Sequence, residues 1–249
     1  MFQAKHILLG VLLAGAAAVA QEGGDLQAQI LYAFHTEDTH ELDHLVQSLV
    51  TQVKAGGADA SLRYHLAHAQ YRLGLLDEAG RTAAEQAAAA LSDCIDELKL
   101  ILAQDVKSVE SLALQSACYA NLAQYRRLEA ALLKSRAADR LNQAFLLAPR
   151  NPRVVYLKAL QELERSKRGS AQNNQAFAEL QQAAQLFEES SETRADAPGW
   201  GHAEAYLALG TELKARGDLL GARNWIEKAL LAAPDYKAAQ RQLASLVQR

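Results

Sequence analysis

Cysteine, proline, methionine and aromatic residues are all scarce in this chain of 249 residues: two Cys, four Pro, one Met, and only 6% Phe, Trp and Tyr together. So few aromatics exclude an all-β sandwich or barrel, whose strands draw on aromatic and β-branched side chains. Fourteen Gly exclude a collagen-like chain, and an apolar half excludes wholesale disorder. A net charge of −3 leaves no electrostatic footprint for nucleic acid. The basic clusters, Arg126 with Arg127, Arg150 with Arg153, and Arg165 with Lys167 and Arg168, are interspersed with Glu and lack an aromatic series. They read as solvated charges at loops and helix ends. No G-x-G-x-x-G, P-loop lysine, G-x-S-x-G or C-x-x-C occurs, so phosphate cradling, hydrolase chemistry and thiol exchange have no support and no cofactor is indicated.

What the chain has is alanine, 50 residues of it, the residue that costs least in a helix. The composition predicts an all-α protein. A chain this long buries roughly 70–75% of its unfolded surface, so its core requires neither metal nor disulfide. Residues 1–20 run from Lys5 through an apolar stretch, Ile7 to Leu13, to Ala18-Val19-Ala20 before Gln21. That pattern predicts a cleavable signal peptide cut after Ala20, and a product in the periplasm or secreted. The apolar run, interrupted by Gly10 and Gly15, is too short for a membrane span, and no later stretch is long enough, so no stable membrane insertion is expected. In an oxidising compartment Cys94 and Cys118 are free to pair, or to remain small buried hydrophobes; their positions decide neither.

The organising signal is a repeated helix pair. From Ala203 to Tyr236, AEAYLALGTELKARGDLLGARNWIEKALLAAPDY, the small residues Gly210 and Ala222 stand where two antiparallel helices must approach closely. Gly217-Asp218 marks the turn and Pro234 the end. Residues 64–79 carry Leu66, Ala67, Gly74 and Ala79 at the spacing of Leu209, Gly210, Gly217 and Ala222. A third echo places Ala144 five residues before Pro149, as Ala229 precedes Pro234. Near residues 107–124 either Leu114 or Ser116 fits as the packing landmark.

Over its full 34 residues the segment from Ala203 resembles the tetratricopeptide repeat (TPR), and the second window agrees, so the chain resembles an exported bacterial TPR-like protein. The resemblance implies stacked antiparallel helix pairs, a TPR-like α-solenoid of about four irregular repeats with a C-terminal capping helix. Helices are expected near 24–34 and 37–54, then as pairs near 59–74 with 76–104, 107–124 with 127–148, 151–166 with 173–190 and 202–216 with 218–233. A closing helix follows from Asp235 to Val247. Residues 21–58 form an N-terminal helical segment and 59–249 the repeat domain, with breaks at 55–59, 166–174 and the polar run 189–200. The first three units are longer than the last, which predicts a compact irregular stack rather than an open spiral.

In this family the first helix of each unit lines a concave groove that grips a protein or peptide. The resemblance places Ser61, Tyr64, His68, Tyr71 and Arg72 on that surface in the first window, and Glu204, Leu207, Thr211 and Lys214 in the last. Two Tyr, a His and an Arg on one face have the composition of a binding hot spot. Clamping of acidic chaperone C-termini is not implied, since the required Lys and Asn positions hold Tyr64 and His68, or Leu207 and Thr211. The expected function is a non-catalytic binding scaffold for a protein or peptide. A competing reading closes the stack around a small apolar ligand, as in TPR-like accessories of periplasmic solute uptake, and predicts an enclosed apolar pocket.

A third reading is zinc peptidase, from His40-Glu41-Leu42-Asp43-His44, an H-E-x-x-H match. On a helix, however, His40 and His44 lie opposite the apolar face of Leu42, Leu45, Val46, Leu49, Val50 and Val53, and Asp43 is atypical of such sites. A surface metal pair joined by Glu37 is a weaker variant. The simpler reading is a solvated helix start with Thr36 as N-cap and Glu37 and Asp38 near the positive end of the dipole.

Overall fold

The computed structural model describes residues 26–76, 84–191 and 198–247, and every regular element among them is helical. Helix α1 covers residues 26–35. It is followed by α2 (Thr39–Lys54), α3 (Ala60–Leu75), α4 (Ala84–Gln104), α5 (Val109–Tyr125), α6 (Ala130–Leu147), α7 (Pro152–Arg165), α8 (Ala171–Ser191), α9 (His202–Ala215), α10 (Leu219–Ala232) and α11 (Lys237–Val247). The expected signal peptide, residues 1–20, and the landmark Ala79 lie outside the described residues.

Short polar residues start these helices. The side chains of Asp38, Asp59, Asn151 and Asp218 accept from backbone N–H groups of the first turns of α2, α3, α7 and α10, and Pro152 follows Asn151 where its missing N–H costs nothing. The cap of α2 is therefore Asp38, two residues beyond the expected Thr36. The Thr36 hydroxyl instead donates to the Tyr32 carbonyl at 2.8 Å, and Thr36 belongs to the turn that ends α1.

Four antiparallel pairs, α3/α4, α5/α6, α7/α8 and α9/α10, are stacked in order, with α2 laid on α3 and α11 covering α10. This is the expected all-α stack of about four irregular pairs with a closing helix. Within the pairs, close approach depends on small residues. A Cβ added at Gly74 would stand 2.6 Å from Leu91 Cγ, and one at Gly210 the same distance from Ile226 Cγ1. In the second pair Ser116 takes the corresponding role: its hydroxyl donates to the Ala137 carbonyl of α6 at 2.8 Å, which settles the choice between Leu114 and Ser116.

Gly74 thus departs from expectation. It is not the counterpart of the turn residue Gly217, whose φ is +89°, but an internal residue of α3 with the packing role of Gly210. A seven-residue shift is about two helical turns and preserves the face, so the same spacing fits both registers. The echo at the other end of the pairs holds: Ala148 (φ −146°, ψ 74°) and Ala233 (φ −144°, ψ 89°) end α6 and α10 in the same conformation, each followed by proline.

Cys94 of α4 and Cys118 of α5 form a disulfide, which joins the first two pairs. Among the described residues no helix is long and apolar enough to cross a membrane.

Candidate functional site

The first helices of the pairs are buried almost all round. In α3 the nine residues from Leu66 to Gly74 are all buried, and in α5 the nine from Ser111 to Tyr119. A helix enclosed in this way has neighbours on every side. For α3 those neighbours include the far end of the chain: Arg72 Nη2 donates to Glu204 Oε1 of α9 at 2.5 Å, and Trp200 Nε1 donates to the Tyr64 hydroxyl at 2.9 Å. The first pair therefore meets the fourth across the inner face of the stack.

Trp200 is the centre of this closure and is 2% exposed. Its ring stacks on His68 (5.9 Å between centroids, 28° between planes), and lies 5.6 Å from both the Arg72 and the Arg153 guanidinium. The residue after it, Gly201, has φ +101°, and a Cβ there would meet the Phe187 ring at 2.7 Å. Glycine is required for the chain to turn from Trp200 directly into α9. Glu204 then reaches back, its Oε2 accepting from the Gly201 N–H at 2.9 Å, which secures the start of α9.

The buried charges are compensated locally. Arg72 Nε donates to His68 Nε2 at 2.9 Å, and the guanidinium lies 4.4 Å from the centroid of the Phe34 ring of α1. Burial alone would raise the Glu204 carboxyl, but Arg72 and then His35 outweigh it and hold Glu204 well below the usual carboxylate range. Burial, with Arg72 next, pushes the His68 imidazole well below its ordinary value, so His68 is neutral and its Nε2 accepts the hydrogen bond from Arg72 Nε–H. Arg153 donates to Glu110 Oε1 at 3.2 Å, and Asn151 Nδ2 to the same oxygen at 2.7 Å. Arg153 is 5% exposed, so the expectation of a solvated charge holds for Arg150, which pairs with Glu189 at the surface, and fails for Arg153.

Between this layer and the chain's two ends lies a cavity of about 370 Å³. Tyr71, Arg72, Leu75 and Leu76 of α3 and its end, Tyr156 of α7, and Glu204, Leu207 and Ala208 of α9 form part of its wall, with Phe34 of α1 and Tyr236 before α11. Glu37 and Arg241 also line it, with Trp200 and Ala238, and are joined by a two-pronged ion pair whose Nη1 to Oε2 arm is 2.8 Å. The pair ties the α1–α2 corner to α11. On the other side of Glu204 a second space of about 270 Å³ is lined by Tyr32, His35 and His202 among others.

The proposed groove residues are thus gathered in space, but not on an open groove. His68 is 1% and Arg72 2% exposed, Tyr71 is buried, and Tyr64 is half-buried beneath Trp200. Glu204 is consumed by Arg72, and Lys214 donates to Gln242 and Ser245 of α11. Leu207 is half-buried; only Ser61 and Thr211 are exposed. In place of an open groove, His68, Arg72 and Glu204 meet where α3 faces α9, and Tyr71, Arg72, Glu204 and Leu207 line the partly open cavity, because closure of the stack brings its first and last pairs together. The competing reading expected an enclosed apolar pocket; the space here is partly open to solvent, and its largely aromatic wall carries two ion pairs.

Sequence reasoning missed Trp200, placed in a polar break, and also Phe34, Tyr156 and Tyr236. The available signal was a lone tryptophan in a linker next to glycine. His40, Glu41 and His44 lie on the exposed face of α2, opposite buried Leu42, Leu45, Val46 and Leu49. Among the described residues no cluster of three or more His, Cys, Asp or Glu could hold a metal ion.

No protein-family model matches the chain, and no curated protein matches it. Among solved structures it is similar to the crystal structure of a thermophilic TPR protein of Thermus thermophilus, with a TM-score of 0.62 at 21% identity, over 92% of this chain and 100% of that one. At this identity the likeness is one of fold: the chain is a TPR-like stack of helix pairs.

Proposed function

We propose that this chain is an exported, non-catalytic TPR-like scaffold that binds a protein partner on its outer surface. One observation carries the placement: the large exposed apolar side chains avoid the first helices of the pairs. Leu128 precedes α6, Leu146 lies in its last turn, and Leu220 and Leu231 lie on α10, all at least 73% exposed. Among the described residues, none of the exposed large apolar side chains belongs to α3, α5, α7 or α9. Burying such a side chain against a partner returns its transfer free energy, about 1.5–3 kcal/mol for a leucine fully buried. The rigid stack would present these helices preformed, so little ordering is needed on association. Export is supported by the leader-like first 20 residues and by the Cys94–Cys118 bond, since such bonds persist in oxidising compartments.

The test is capture of partners from a periplasmic extract on the immobilised, oxidised mature chain, with Leu220→Asp/Leu231→Asp as the comparison. The reading expects one stoichiometric partner that the double variant no longer retains while its circular dichroism is unchanged. Equal recovery by both proteins would remove the outer-face proposal, and N-terminal sequencing of the exported product should begin at Gln21.

A further inference from the structure

We propose that the cavity between α1, α3, α7, α9 and the corner before α11 is a binding site for a small, uncharged molecule with a flat apolar body and a hydrogen-bond-accepting group such as a carbonyl. This goes beyond the protein-partner reading and stands or falls without it, since the cavity and the exposed leucines are on different surfaces.

The volume sets the size. About 370 Å³ lies within the range of small-molecule pockets and corresponds to roughly a dozen waters. The space is partly open to solvent, so a guest of this size can enter without the stack coming apart.

The walls set the body. Phe34, Tyr71, Tyr156, Trp200 and Tyr236 face one space from separate segments of chain, and flat faces of this kind favour a planar, apolar guest.

The charges set the net charge. Arg72 is matched by Glu204 and Arg241 by Glu37, each pair in direct contact. Among the described residues no uncompensated charge lines the cavity. An anionic guest would have to be dehydrated against Glu204 and Glu37, and a cationic one against Arg72 and Arg241, with each counter-charge already engaged. A neutral guest carries no such cost.

The phenols set the polar handle. Tyr156 and Tyr236 line the cavity with rings 9% and 7% exposed overall, and neither hydroxyl is engaged by another side chain among the described residues, so each stays accessible from the cavity. Burial, with Glu204 next, keeps both phenols protonated, so each is a donor awaiting an acceptor. A carbonyl on the guest would accept from both or either.

The test is calorimetric titration of the full mature chain with three probes that share one ring system: acetylnaphthalene (neutral ketone), naphthoate (anion) and naphthylmethylammonium (cation). The neutral ketone should saturate a single site and bind at least about tenfold more tightly than either ion. Tyr156→Phe and Tyr236→Phe, which remove only a hydroxyl, should each weaken the ketone roughly five- to tenfold, the worth of one hydrogen bond. Unsubstituted naphthalene should be unaffected by either change. Ala238→Phe, which fills the cavity from α11, should abolish ketone binding with the circular dichroism unchanged. No saturable binding, equal affinity for the three probes, or indifference of the ketone to both Tyr→Phe changes would each overturn the proposal, the first showing that the cavity holds water only.

Discussion

Removing either member of the Arg72–Glu204 pair should unlock the stack, because 132 residues of chain separate two groups that touch at 2.5 Å. Arg72→Met leaves the Glu204 carboxylate buried with the Gly201 N–H and a His35 nitrogen 3.7 Å away as its remaining polar neighbours. Stranding a buried charge in this way costs about 3–5 kcal/mol. Glu204→Gln strands the Arg72 guanidinium instead. There Phe34, Tyr71 and Trp200 offer their ring faces within 5.6 Å, each offsetting about 0.5–2 kcal/mol, so the loss should lie at the lower end, about 3 kcal/mol. The double variant carries no stranded charge. Its loss should fall short of the sum of the singles by about 3 kcal/mol, the upper end of couplings measured between touching residues. Urea unfolding of the four proteins, followed by far-ultraviolet circular dichroism, gives the cycle. Single losses that add in the double variant to within about 0.5 kcal/mol would mean that α3 and α9 do not meet, and the reasoning fails.

Acid should weaken the fold in two stages. His68 binds its proton less readily folded than unfolded, so its contribution is complete above the ordinary histidine value of about 6.5 and is lost as pH falls below it, by up to about 1.4 kcal/mol per pH unit. Glu204, also depressed, adds its loss only below the ordinary carboxylate value of about 4.3. Urea midpoints between pH 7.5 and 5.5 should show the first stage, and His68→Gln, which keeps an acceptor for Arg72, should reduce its slope while His65 and His202, also shifted down by burial, keep their share; an unchanged slope contradicts the assignment. Gly210→Ala should lower stability by about 1–3 kcal/mol through the clash with Ile226, whereas Gly217→Ala, with open space around it, should lose only its backbone preference, about 1 kcal/mol. Reducing Cys94–Cys118, which span 24 residues, should cost about 3 kcal/mol in chemical denaturation without changing helix content at low denaturant. Tyr64→Ala with Tyr71→Ala should destabilise the chain by several kcal/mol, not merely weaken capture of a partner, since Tyr64 holds Trp200 and Tyr71 is buried.

The helices were legible because their signals are local: Gly217-Asp218 at a turn, Pro149 and Pro234 after ends, and an apolar stripe on α2 opposite His40 and His44, although the cap of α2 was read two residues early at Thr36. Closure was not legible, because it depends on which non-neighbouring helices meet. Helix α3 contains the clue, the stretch AHAQYRLG, in which His68, Gln70 and Arg72 are interspersed with small and apolar residues and no polar face remains. A polar side chain in such a helix reads equally well as a groove anchor or as a buried partner, and only the placement of Trp200 and Glu204 distinguishes them. Tyr236 and Phe34 stand at opposite ends of the sequence, and no spacing rule links them.

The central claim is that the first and fourth pairs close over Trp200 on the inner face of the stack, and its most direct test is the fluorescence of that residue in a Trp225→Phe variant, where it is the sole tryptophan. The account predicts blue-shifted emission that iodide does not quench until the chain is unfolded. Emission at the wavelength of free tryptophan, quenched by iodide in the native protein, would mean that the two pairs do not close over Trp200 and would contradict it.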